Sequence, residues 1–155
     1  MTGTIEDRLA ALGLALPPAP NPVANYVPFL ISGNLLFISG QISKAADGTI
    51  VTGTLGDGVD IAAGQAAARL CALNILAQAK SALGNLDRIA QLVRLTGFVS
   101  ATPAFKDHPQ IVNGASDLMV EVLGEKGRHT RAAVGVSSLP LGSAVEVDAV
   151  IAIAG

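Results

Sequence analysis

Residues 131–152 read RAAVGVSSLPLGSAVEVDAVIA, two apolar runs (131–137 and 144–153) joined by a loop around Leu139-Pro140 and Leu141-Gly142. Side chains alternate in character along each run, which is the period of a β-strand. Alternation places Ala132, Val134 and Val136 on one face. If Ser137 lies opposite Ala144, they meet Val145, Val147, Ala149 and Ile151 across a hairpin ladder, and this is the face expected to be covered by helices. The opposite face then carries Arg131, Ala133, Gly135 and Ser137 with Glu146 and Asp148, a polar surface suited to a cleft or a subunit contact. In that register Arg131 and Glu146 are offset by about 13 Å along the strand, so they need not form an ion pair.

Upstream, Pro109 to Leu123 reads as a helix, with Ile111, Ala115, Leu118 and Val122 along one side and Gly124 as its terminator. Arg88 to Val99 is a strand apolar on both parities, as a central or interface strand would be. Asp60 to Leu83 is a long helix opened by Asp60 and closed by Gly84, with an apolar stripe through Ala66, Leu70, Leu73 and Ala77. Polar residues such as Asn74 and Gln78 interrupt it too often for a membrane span. Val27 to Ser32 and Leu35 to Ser39 flank Gly33-Asn34, a dipeptide suited to a tight hairpin. Thr49 to Thr52 is a weaker strand candidate, followed by the glycine-rich loop Gly53 to Gly58. A short helix from Thr4 to Leu12 and a linker containing Pro17, Pro18, Pro20 and Pro22 precede all of this. The expected organisation is an N-terminal appendage, 1–20, and one α+β domain, 21–155, with two helices packed on one face of a mixed sheet.

Half of the 155 residues are hydrophobic and 14% are charged, with apolar mass drawn from Ala, Val, Ile and Leu rather than aromatics. A monomer of this composition has little polar side chain with which to cover itself, so self-association is expected. The net charge of −2 offers no basic footprint for a phosphate backbone and argues against nucleic acid as a partner. Cys71, the single cysteine, fits a small buried hydrophobe in a reducing compartment. The first residues lack the pattern of a signal peptide, so the cytoplasm is the expected location.

The familiar catalytic constellations are sparse. His108 and His129 have no partners at metal-ligand spacing and read as loop or helix-edge histidines. Gly53 to Gly58 lacks the lysine and Ser/Thr of a phosphate cradle. Arg131, on these facts alone, reads as a solvated arginine at the start of a strand.

These residues resemble the RidA/YjgF family of imine deaminases, called endoribonuclease L-PSP-like in older usage. The resemblance runs from about Asn21 to the C-terminus. It rests on Tyr26 thirteen residues before Ser39-Gly40-Gln41, on the Gly33 turn, on Asn113, and on the arginine strand, Leu-Pro turn and Val-Glu-Val strand of 131–152. It implies a chorismate-mutase-like fold, a homotrimer with a central barrel of sheets, and ligand sites between subunits, without metal or organic cofactor. By motif position, Arg131 would clamp the carboxylate of a 2-imino acid, Tyr26 and Ser39-Gly40 would line the pocket, Glu146 would place water, and Asn113 would be a further substrate-binding residue. Hydrolysis of the imine to a 2-oxo acid and ammonia is the implied activity. The alternative is a non-catalytic trimer that binds small carboxylates. The ribonuclease of the older label ranks last, because an acidic chain without a histidine-lysine set is poorly equipped to grip RNA. Ala133, where family members often carry cysteine, and His129-Thr130, where a proline-containing pair is common, mark a divergent subgroup.

Overall fold

Helix ends follow from local chemistry. In the computed structural model, which describes residues 4–21 and 24–155, the Thr4 side chain accepts from the Asp7 N–H and Asp7 returns the bond, a capping box that starts α1 (Ile5–Ala11). The Asp60 carboxylate accepts from the Ala63 N–H at 2.8 Å and opens α2 (Ile61–Leu83), which stops where Gly84 adopts a φ of 74°. Pro109 sits in the first turn of α3 (His108–Leu123), and Gly124 closes it.

The expected first hairpin forms from β1 (Phe29–Ser32) and β2 (Leu35–Ile42). Residues Thr49 to Thr52 do not make a strand. They contribute only isolated bridges, Lys44 to Ile50 and Thr52 to Ser143, while the glycine-rich stretch folds into the short β3 (Thr54–Leu55) and β4 (Gly58–Val59). β5 (Ile89–Ser100), β6 (Thr130–Val136) and β7 (Val145–Ile153) complete a five-stranded sheet in the order β1-β2-β7-β5-β6. Within this sheet the β5–β6 pair is parallel and the others are antiparallel.

That order corrects the expected C-terminal hairpin. The crossover through α3 brings the chain back to run beside β5 in the same direction, as a parallel pair requires. The loop after β6 then carries it past β5 to β7. Val147 and Ala149 pair with Gly97 and Leu95 rather than with β6. One cross-strand row on the helix side therefore runs Ile38, Ala149, Leu95, Arg131. The face assigned to β7 holds, with Val145, Val147, Ala149 and Ile151 buried. The face assigned to β6 is inverted: Val134 is 42% exposed, whereas a Cβ at Gly135 would collide with the His108 ring of α3.

The stripe expected on α2 holds at Ala77, which is buried, but Ala66 is exposed and Leu70 and Leu73 are half-buried. Beside Ile75 and Leu76, burial falls on the small residues Gly64, Ala67, Ala68, Cys71, Ala72 and Ala79. These small side chains let α2 lie close to both the sheet and α3, and at the α2–α3 contact a Cβ on Gly114 would strike the Gln65 carbonyl. On α3, Ile111, Ala115, Leu118 and Val122 are fully buried as expected. Ile5 and Leu9 of α1 join the same core, with Arg8 donating to the Val122 carbonyl and Glu6 paired to Lys80. Pro17, Pro18 and Pro20 lie outside regular structure, and Pro22 lies outside the described residues. Among the described residues no helix is long and apolar enough to cross a membrane.

Candidate active site

A β-bulge builds the first half of the site. Ile38 pairs with Ala149 and Gln41 with Val147, so Ser39 and Gly40 together face the single residue Asp148. The Ser39 hydroxyl donates to the Val27 carbonyl at 2.7 Å and its N–H to the Pro28 carbonyl at 3.0 Å, which clips the segment bearing Tyr26 against β2. Gly40 leaves room for the neighbouring strand's carboxylate: a Cβ there would stand 2.5 Å from Glu146 Oε2. Tyr26, Ser39, Gly40 and Glu146 thus meet in one cleft of about 350 Å³.

Its floor comes from α2. Asn74 and Gln78, one turn apart, are nearly fully buried; Asn74 Nδ2 donates to the Ile42 and Lys44 carbonyls, and Gln78 Nε2 donates to the Pro20 carbonyl at 2.6 Å. Residues that interrupt the apolar pattern of α2 in the sequence therefore pin the proline-rich segment and the end of β2 around the cleft. Leu141 lies at the cleft, 75% exposed and held at a φ of 57°, the left-handed region that costs a branched side chain energy.

Burial raises the pKa of Glu146 above the ordinary carboxylate value, and the nearby Asp148 charge raises it further. Asp148 is raised by burial too, with Thr96 and Arg94 opposing. Cys71 is fully buried and its thiol is pushed well up, chiefly by burial and then by Glu146.

Arg131 is elsewhere. In the ladder Glu146 shares a row with Ile42, Phe98 and Val134, on the sheet face opposite to the row of Arg131. The guanidinium lies against α3, where Nη1 donates to Asn113 Oδ1 at 2.8 Å and to Ser116 Oγ at 3.2 Å. Among the described residues no carboxylate pairs with it. Asn113 thus lies beside Arg131, whereas Tyr26, Ser39, Gly40 and Glu146 form a separate cluster within the same chain. Ser116 and His129 are additions that the sequence reading missed. Their signal was present: Ser116 is one helical turn after Asn113, and His129 is two residues before Arg131 on an extended stretch.

Fold and cleft together define the class, a chorismate-mutase-like α+β domain with a carboxylate-bearing cleft on one sheet face and a partly buried arginine on the other. The family model described as "YjgF/chorismate mutase-like, putative endoribonuclease" matches residues 6–152. The chain is 47% identical over 151 residues to protein TCP17 of Trypanosoma cruzi, covering 97% of this chain and 94% of that protein. The crystal structure of Atu1372 from Agrobacterium tumefaciens, described as of unknown function, matches with a TM-score of 0.89 at 51% identity, covering 98% of this chain and 94% of that one. Escherichia coli TdcF with bound serine matches at a TM-score of 0.64 and 25% identity, over 88% and 94% of the two chains. The chain belongs to the YjgF/RidA family, in a subgroup divergent from the TdcF branch.

Proposed function

We propose that the protein hydrolyses small 2-imino acids, the products of enamine tautomerisation, to 2-oxo acids and ammonia. The observation that carries this reading is the unpaired guanidinium of Arg131: its Nε–H and Nη2 edge has no hydrogen-bond partner among the described residues. That edge matches a carboxylate through two parallel charge-assisted hydrogen bonds. TdcF, which carries bound serine, supports a small amino-acid-like ligand.

The two half-sites face away from each other within one chain, so the reading requires self-association. Leu30, Phe37 and Val134 on the cleft side of the sheet are 58%, 42% and 42% exposed, an apolar surface that a neighbouring copy would cover. In a homotrimer each Arg131 would face the Tyr26–Glu146 cleft of the adjacent subunit, giving three equivalent sites. Arg131 grips the substrate carboxylate, and Glu146, ionised, takes a proton from water as the oxygen bonds to the imine carbon. That proton passes to nitrogen, giving a carbinolamine; Glu146 then takes the hydroxyl proton and delivers it to the amino nitrogen, so the carbon–nitrogen bond breaks and ammonia departs as the carbonyl forms. A desolvated carboxylate with a raised pKa is suited to hold and return that proton.

The test couples the pure protein to an amino-acid oxidase that generates imines and follows ammonia release. Acceleration over buffer that disappears in Arg131→Ala is the expected result. No acceleration with any of several amino acids removes the deaminase reading, and saturable 2-oxo acid binding without turnover assigns the chain to carboxylate binding instead.

A further inference from the structure

The hydrogen bonds behind Arg131 form a chain with one direction. His129 Nδ1 lies 2.6 Å from the Gly127 carbonyl, an atom that only accepts, so Nδ1 carries the proton. In that tautomer Nε2 accepts, and the Ser116 hydroxyl 2.9 Å away donates to it. With its single hydrogen spent, Ser116 Oγ can only accept on its remaining side, where Arg131 Nη1 stands at 3.2 Å. The second hydrogen of Nη1 goes to Asn113 Oδ1 at 2.8 Å. Two acceptors on one nitrogen fix the plane of the guanidinium and point its Nε–Nη2 edge away from α3.

A serine bonded to a histidine that is itself anchored has the outline of a nucleophile and its base. The geometry argues otherwise here. Ser116 lies in the middle of α3, where backbone N–H groups are consumed by the helical ladder and none remains to receive an oxyanion.

We propose that Ser116 and His129 are positioning residues that hold the Arg131 guanidinium in the orientation that presents its Nε–Nη2 edge to a substrate carboxylate. The inference rests on the clamp role proposed for Arg131. Two measurements separate them. In isotopically labelled protein, NMR of the Arg131 Nη groups is expected to show slow rotation about Cζ–Nη in the wild type and averaging in Ser116→Ala and His129→Leu. His129→Gln, whose Oε1 can accept from Ser116 in place of Nε2, restores the slow signals. Calorimetric titration with pyruvate is expected to show binding weakened about tenfold in Ser116→Ala and His129→Leu and recovered in His129→Gln. In turnover the loss falls on KM more than on kcat. Free rotation of the wild-type guanidinium, or slow rotation unchanged in Ser116→Ala and His129→Leu, overturns the proposal. Should the wild type bind no carboxylate while the NMR pattern holds, the clamp reading fails and the ordering of Arg131 by Ser116 and His129 stands.

Discussion

At the residue scale, Glu146 and Gly40 act as one unit, since the carboxylate occupies the space a Cβ would take. Gly40→Ala is expected to displace the carboxylate and to lower kcat for imine hydrolysis by about a hundredfold, the usual scale for a misplacement near 1 Å, with the far-ultraviolet spectrum unchanged. The raised pKa of Glu146 makes a second prediction of definite sign. A carboxyl whose folded pKa lies above its unfolded value stabilises the fold fully at pH below the unfolded value. That contribution is lost as pH rises through the folded one. Glu146→Gln removes the penalty, so its melting temperature should exceed that of the wild type at pH 7.5. The difference should shrink as the pH is lowered through the carboxylate range. A variant less stable than wild type at pH 7.5 would show that Glu146 is instead stabilised by its ionised contacts. Leu141 is a third case: Leu141→Gly relieves a left-handed backbone and should leave stability equal or raise it by about 1 kcal/mol in urea unfolding, while weakening ligand binding at the cleft.

Elements place these residues by tethers that are polar and buried. Ser43 Oγ and Ser143 Oγ are 2.7 Å apart, Ser143 Oγ accepts from the Ser43 N–H, and Ser43 Oγ donates to the Val51 carbonyl. This knot joins the end of β2 to the start of β7 and so sets where Glu146 enters the cleft. Both serines are fully buried, so Ser143→Ala strands a donor and is expected to cost about 1–3 kcal/mol. Urea titration should show a lower midpoint with an unchanged slope. The ends of α2 and α3 were legible in the sequence because Asp60, Gly84 and Gly124 act on their own backbone neighbours. The buried face of α2 was not, because Ala66 and Ala67 differ little in apolarity and only the approach of the sheet and α3 selects between them. Asn74 and Gln78 read in the sequence only as polar interruptions, because their partners, the carbonyls of Ile42, Lys44 and Pro20, are distant in sequence.

For the whole molecule, the proposed trimer makes a prediction that no single subunit can satisfy. Arg131→Ala and Glu146→Gln should each be inactive alone. If one site draws its arginine and its carboxylate from different subunits, randomly mixed trimers should regain about a quarter of the wild-type activity per site. A monomeric mass by light scattering at micromolar concentration, or no recovery on co-expression of the two variants, would remove the shared-site arrangement. By itself the sequence determined the capped helices, the first hairpin, the alternation of β7 and the motif positions of Arg131 and Glu146, because caps, turns and period-two patterns act over a few residues. Only the tertiary structure decided that β5 lies between β6 and β7, that Arg131 and Glu146 occupy opposite faces, and that Ser116 and His129 stand behind the arginine. Alternation fixes which side chains share a face within a strand, but the neighbouring strand and the covered face are chosen by the crossover helix and by what packs against the sheet.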